Sequence, residues 1–447
     1  MNRRDLYNGF NEIDDDILER SETASRSKKK PVWLKWGAIA ACLCAAVIAV
    51  VTPLLLSGPR ASAADLMKGV TANPVEQVEN LGADSAAVTD FAVRLFQSSL
   101  EDGENTLISP LSVLCALAMT TNGAEGETLA QMEQTLGLPV DTLNRWLHTY
   151  LAQLPEGSKY KLSLANSIWF ADKESFTVRQ DFLQTNADYY GADIYAAPFD
   201  DSTLTDINNW VKENTDGMIP NILDRIPEEA VMYLVNALAF DAEWEEIYKE
   251  NQVRDGTFTT EDGTERQVEL MHSTEWAYLE DGNATGFVKY YKGREYAFAV
   301  LLPNEGVAVA DYAATLTGEH LRELLADPAE TKVIAAIPKF EVEYSVEMSD
   351  ILKGMGMPDA FDLNAADFSG LGASTEGNIF ISRVLHKTFI AVDEKGTRAG
   401  AATAVEAPGA DPTEPKTVIL DRPFVYMLID CETNLPFFIG TMMDTVG

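Results

Sequence analysis

Histidine and cysteine are scarce in this 447-residue chain, with four of each. Their placement excludes most of the chemistry they support. His148, His272, His320 and His386 form no His-x-x-x-His pair and no carboxylate-flanked pair at metal spacing, which excludes a zinc hydrolase and leaves no metal site to expect. Cys42 and Cys44 sit inside an apolar run, while Cys115 and Cys431 stand far apart. A disulfide framework is therefore not indicated, a pairing of Cys115 with Cys431 being the alternative. Basic side chains are also few, 34 against 70 acidic ones, for a formal net charge of -36. Residues 1–60 carry nine basic and seven acidic side chains, so residues 61–447 carry a net charge of -38. Such a field keeps the body soluble and repels phosphate backbones, which excludes nucleic acid as a partner. No Gly-x-Ser-x-Gly, phosphate-binding glycine loop or dinucleotide fingerprint is present. Nothing nominates a nucleophile with its base, so neither enzyme activity nor a cofactor is expected.

What is present begins with one long apolar run. Residues 36–56 (WGAIAACLCAAVIAVVTPLLL) contain no charge. As a helix they span about 31 Å, the thickness of a bilayer's hydrocarbon core. Arg26, Lys28, Lys29, Lys30 and Lys35 precede the run, and Arg60 is the nearest base after it. Positive charge stays inside, so residues 1–35 are expected in the cytosol and the body outside the cell, on a single-pass transmembrane helix. Trp33 and Trp36 suit the interfacial belt, and Pro53 is absorbed in the last turn. Ala61-Ser62-Ala63 offers a competing reading as a cleavage site, in which case the body is secreted. The length of both leader and run favours an uncleaved anchor. Ile39-Ala40-Ala41-Cys42 also has the look of a lipobox, but fourteen mostly apolar residues follow that cysteine. Residues 1–35 hold too few apolar side chains for a core, and no function is assigned to them.

The body is 46% hydrophobic by the composition of the whole chain, which suits a packed core. Residues 57–84 are small, polar and turn-rich and are expected to be a linker. Val88, Phe91, Ala92, Leu95 and Phe96 recur at helical spacing over 86–100. Ser109-Pro110 is an N-cap followed by proline at the first helical position; Asn122-Gly123 stops a helix apolar nearly all round. A capped helix ending before Gly137 follows, then helical stretches near 141–153, 205–215, 319–326 and 347–355. Strand-like runs occupy 163–170, 231–240, 257–260 with 267–271, 297–302, 337–346, 381–392, 423–429 and 437–442. Helices come early and strands late, often as hairpins. The pattern is α+β with mostly antiparallel sheets, not βαβ winding.

One stretch stands apart from this pattern. From Val392 to Pro412 the chain is rich in small residues, and composition alone suggests a surface loop. Its parity says more. Every second residue from 397 gives Thr397, Ala399, Ala401, Thr403, Val405 and Ala407, all uncharged, while Arg398 and Glu406 fall together in the other register. Strand side chains alternate between faces, so this loop is written as a strand with one buriable side. Pro408 and Pro412 end its capacity to pair near residue 407.

Ordered segments through the body carry a family resemblance. They are 105–112 (NTLISPLS), 165–170 (ANSIWF), 207–211 (INNWV) with 215–217 (TDG), and 234–240 (LVNALAF) with Trp244. Then follow 337–340 (IPKF), 384–387 (VLHK), 392–397 (VDEKGT), 421–424 (DRPF) and 437–440 (FFIG). In this order they resemble the serpins over residues 85–447. The resemblance implies helices packed around three mostly antiparallel sheets, with an exposed reactive loop. It implies a single-use inhibitor, acting as a monomer, that is cleaved by a serine protease, held as its acyl-enzyme, and inserted as a new strand of the large sheet.

By the family's pattern Glu394 opens the loop's hinge, Gly396, Thr397, Ala399, Ala401, Ala402 and Thr403 match its small-residue segment, and the scissile bond is Ala410–Asp411. Glu406–Ala407 and Gly409–Ala410 are alternatives, and counting back from Pro423 places the bond near Pro412, which proteases dislike. Arg398 departs from the usual acidic residue but lies on the outer parity. Thr397 is the first loop side chain expected to turn inward as insertion begins. Ser109, Ser112, Asn236 and His386 match a polar cluster under the opening of the central sheet, and Trp244 matches the aromatic where insertion starts. An alanine before the bond suits an elastase-like or subtilisin-like pocket. A non-inhibitory binding or carrier module with this fold would be favoured by bulky or charged hinge residues, and the inserting face has none; a surface adhesin that merely kept the fold predicts no protease complex.

Overall fold

A computed structural model describes residues 63–154, 160–173, 176–227, 230–375, 377–397 and 414–445. The cytosolic segment expected over 1–35 and the transmembrane run 36–56 lie outside the described residues. Among the described residues no helix is long and apolar enough to cross a membrane.

The helices are α1 (Gly82–Ser98), α2 (Pro110–Thr121), α3 (Gly126–Leu136), α4 (Val140–Gln153), α5 (Gln180–Tyr190), α6 (Asp201–Asn214), α7 (Val309–Thr315), α8 (Gly318–Ala326) and α9 (Ser349–Met355). The strands begin with β1 (Ala64–Asp65), β2 (Thr106–Ile108), β3 (Tyr160–Ala171), β4 (Phe176–Val178), β5 (Asp193–Ala197) and β6 (Met232–Glu243). They continue with β7 (Val253–Thr259), β8 (Glu265–Glu280), β9 (Ala284–Tyr290), β10 (Tyr296–Pro303), β11 (Ala329–Pro338) and β12 (Phe340–Glu347). The last are β13 (Gly372–Ser374), β14 (Arg383–Val392), β15 (Gly396–Thr397), β16 (Lys416–Ile419), β17 (Phe424–Asp430) and β18 (Pro436–Met442). A seven-stranded sheet has the order β1-β5-β3-β6-β15-β14-β12. A nine-stranded sheet runs β16-β11-β8-β9-β10-β17-β18-β2, with β7 on β8, and β13 pairs with β4. Pairing is antiparallel except at β3–β5, β6–β14 and β11–β16. This is the α+β architecture of mostly antiparallel sheets that the sequence pattern indicates.

Local chemistry explains the elements that matter. Ser109 caps α2 by accepting from the Ser112 amide at 3.3 Å, with Pro110 at the first position, and every residue of α2 is buried. β6 is apolar in succession because the sheet is covered on both sides. Met232, Leu234, Leu238 and Phe240 enter the main core, while Tyr233, Val235 and Ala237 pack with Ile207, Trp210 and Val211 of α6. Asn236 shares the core-facing parity, which aims it at α2.

Two expectations change. The run 337–346 is two strands in different sheets, β11 ending at Pro338 and β12 starting at Phe340, with the Lys339 amide donating to the Glu269 carbonyl at 2.9 Å. Residues 63–78, expected as part of a linker over 57–84, lie against the body instead. Ala64 and Asp65 pair with Ala196 and Tyr195 of β5. The Leu66 amide donates to the Ile194 carbonyl at 2.9 Å, Asn73 bonds the Asp188 carboxylate, and the Val78 amide donates to Thr149 Oγ1 at 3.0 Å. The physical reason is that β5 would otherwise leave an unpaired strand edge.

Candidate functional site

The site is built on the seam between β6 and β14. These strands pair in parallel from Arg383 opposite Tyr233 to Phe389 opposite Ala239. Above that stretch the two-residue β15 sits between them, with Thr397 opposite Val392 on one side and Ala242 on the other. A tight turn makes this possible. The Asp393 carboxylate accepts from the amides of Lys395 at 2.7 Å and Gly396 at 3.2 Å, and the Asp393 amide donates to the Gly396 carbonyl at 3.0 Å. Gly396 is required by close approach, since a Cβ there would lie 1.9 Å from the Ala242 carbonyl oxygen.

Thr397 is therefore already turned inward, at 1% exposure, before any cleavage. Its Oγ1 shares a hydrogen bond of 2.5 Å with the Tyr291 hydroxyl, so its one polar side-chain atom is satisfied in the seam. Tyr291 stacks on Trp244 with ring centroids 4.4 Å apart, and burial pushes its phenol well above the ordinary range. Trp244 is fully buried. Its amide donates to the Lys395 carbonyl and its indole Nε1 to the Asp393 carbonyl, both at 2.9 Å. Glu394 pairs with Lys339 at 3.1 Å, and Lys339 also reaches Glu269 at 3.1 Å. The Glu394 carboxyl is held below its usual range by its own backbone amide and by Lys339, against a smaller opposing effect of burial. Tyr291 and Lys339 were not singled out by the sequence. Tyr291 lies 106 residues from Thr397, and no local pattern marks that pairing.

Lower in the seam, Ser109, Ser112, Asn236 and His386 come together, all fully buried. Asn236 and His386 are direct partners across the β6–β14 register. The Ser109 amide donates to His386 Nε2 at 3.0 Å, His386 Nδ1 bonds Asn236 Oδ1, and Ser112 Oγ donates to Asn236 Oδ1 at 3.3 Å. With the Ser112 amide on Ser109 Oγ the bonds close into a ring. An imidazole that accepts at Nε2 is neutral, and burial pulls the His386 pKa down to about 3. Asn236 Nδ2 is buried with no partner among the described residues. The seam thus holds a donor that closure leaves unsatisfied.

Arg398, Ala399, Ala401, Ala402, Thr403, Ala410 and Asp411 lie outside the described residues. Their two anchor points are described. Thr397, the last described residue before them, pairs within the seven-stranded sheet, and Lys416 after them begins β16, which pairs in parallel with β11 in the nine-stranded sheet. Cys115 and Cys431 are both free, so the pairing considered for them is not made. Among the described residues no cluster of His, Cys, Asp or Glu is placed to hold a metal ion.

Residues 86–445 match the family of serpins, described as serine protease inhibitors. The chain belongs to the serpin family. It is 33% identical over 369 residues to a serpin-like protein of Thermococcus kodakarensis, covering 80% of this chain and 85% of that one. The leukocyte elastase inhibitor of Equus caballus is 30% identical over 364 residues, covering 77% and 94%. The crystal structure of the thermophilic serpin tengpin in its native state superposes with a TM-score of 0.83 at 49% identity, covering 86% of this chain and all of that one. Serpins are inhibitors of serine proteases, not catalytic enzymes, and this chain is not an enzyme.

Proposed function

We propose that this serpin is a suicide-substrate inhibitor that traps its protease by inserting the segment after Thr397 between β6 and β14. The carrying observation is the seated hinge. Gly396 and Thr397 already occupy the top of that seam, and the next ten residues continue with small uncharged side chains on the inward parity. In the proposed sequence the protease's serine oxygen attacks the Ala410 carbonyl carbon. The Ala410–Asp411 bond breaks, the Asp411 nitrogen leaves as a protonated amine, and an ester remains. Insertion then competes with hydrolysis of that ester by water. For the strand to enter, β6 and β14 must part, and the ring of Ser109, Ser112, Asn236 and His386 must re-pair. The buried, unpartnered Asn236 Nδ2 favours that opening.

Alanine before the bond supports a shallow-pocketed target, elastase-like or subtilisin-like, and one relative is named as an elastase inhibitor. Residues 36–56 and the basic flank before them support a single-pass membrane anchor with the serpin domain outside the cell. The test is to mix the full-length chain with a panel of serine proteases and look for a denaturant-stable covalent complex. Cleavage of the loop by every protease without any such complex refutes the proposal.

A further inference from the structure

Large apolar side chains are mostly buried in this protein, but Trp276 and Ile334 are each 42% exposed. They lie on one face. Ile334 of β11 is the register partner of Thr274 in β8, and Trp276 follows two residues on at the same parity. On its other side Ile334 faces Thr417 of β16, also exposed. Beside Trp276 opens a cavity of about 260 Å3 whose wall includes Glu245, Glu246, Glu275, Lys289, Arg294 and Glu330. Glu275 is taken by Lys289 at 2.9 Å and Glu245 by Arg294 at 2.9 Å. Among the described residues no salt bridge joins Glu246 or Glu330. The cavity wall therefore carries four carboxylates against the two cations Lys289 and Arg294, a net negative setting beside Trp276 that suits a basic side chain.

We infer that Trp276, Ile334 and the carboxylate-rimmed cavity beside them form a second contact surface for the target protease, one that takes a basic side chain flanked by apolar surface. This rests on the inhibitory reading above and names the chemistry of the partner. Position argues for the protease as occupant. Glu245 and Glu246 directly follow Trp244, which bonds Lys395 at one anchor of segment 398–413, and Ile334 neighbours β16 at the other. The bond after Ala410 lies seven residues before Thr417, and seven extended residues reach at most about 25 Å. A protease domain of about 250 residues has a radius of gyration of about 18 Å, so this face lies within reach of one engaged at that bond. Charge points the same way. The body carries a net charge of -38, which steers a basic partner surface toward it. An exposed tryptophan is the side chain best able to anchor such a contact.

The test uses the full-length chain and a protease that it inhibits. Trp276→Ser should lower the second-order rate constant of complex formation about tenfold, with stoichiometry of inhibition and thermal midpoint unchanged, because hinge and seam are untouched. Ile334→Ser should act in the same direction. The double variant Glu246→Gln/Glu330→Gln should lower the rate about threefold and flatten its salt dependence. Rate constants within about twofold of wild type in the tryptophan and isoleucine variants, for every protease inhibited, overturn the inference. So does sedimentation showing that Trp276→Ser abolishes a self-association of the wild-type chain, since the face then serves a second copy. A wild-type chain that forms no covalent complex overturns this and the inhibitory reading together, whereas normal trapping with unaffected variants overturns this alone.

Discussion

Replacing Thr397 with arginine separates a trapping serpin from a mere protease substrate. In the intact protein the threonine is 1% exposed, and an arginine cannot be seated there without burying an unpaired cation. The variant should instead expel β15, giving up its pairing with Ala242 and Val392 and the hydroxyl bond to Tyr291. At about 1 kcal/mol net for each bond, that loosens the hinge by about 3 kcal/mol while leaving the core of the body intact. Insertion after cleavage must then draw the cation into the seam beside Trp244 and Tyr291, against a cost of several kcal/mol. A floor of about 3 kcal/mol slows insertion at least about 100-fold, at 1.4 kcal/mol per decade. If wild-type insertion outruns deacylation about tenfold, the ratio falls to about 0.1, and roughly eleven inhibitor molecules are consumed per protease trapped. Titration of a protease with the variant, read by residual activity and by gel for the covalent complex, measures this directly. Covalent complex at wild-type stoichiometry would refute both the inward assignment of Thr397 and the insertion mechanism. Arg398→Glu, on the opposite parity, should change little.

Cleavage of the chain anywhere from 404 to 411 should raise the thermal midpoint sharply, because a new central strand adds ladder bonds and buried apolar area; an unchanged midpoint by calorimetry argues against insertion. His386 should make the body acid-sensitive. Its folded pKa is depressed to about 3, so the unfolded chain takes up its proton first, near pH 6.5, and stability falls as pH drops from about 6.5 toward 3. At pH 5 the loss is about 2 kcal/mol, and His386→Gln should show a shallower fall of midpoint across that window. The amides of Leu66, Asn73 and Val78 should be protected in hydrogen exchange, whereas a free linker would exchange them at once. Protease added to intact cells should release the body and spare residues 1–35; an epitope at residue 5 found outside the cell would reverse the proposed topology.

Much of the fold was legible because its determinants are local. Ser109-Pro110 caps α2 with a side chain and a fixed dihedral inside one turn. The apolar run of β6 likewise marks a strand buried on both faces. Residues 337–346 were not legible as two strands, because nothing in an unbroken strand-like run says that its halves join different sheets. Residues 63–78 read as linker because they are small and polar, and only the open edge of β5 gives them a partner. The four polar residues of the seam were identifiable from the serpin resemblance, but their closed ring depends on the β6–β14 register that sets His386 opposite Asn236. The seating of the hinge was decided by tertiary structure alone. Tyr291 and Lys339 come from distant parts of the chain to meet Thr397 and Glu394, and such meetings depend on how sheets stack, which no short-range period encodes. The sequence by itself thus carries the small-residue alternation after Thr397, since that is a matter of side-chain order alone. That Gly396 and Thr397 stand within the sheet was settled by their pairing with β6 and β14 and by the Tyr291 hydroxyl that meets Thr397 there.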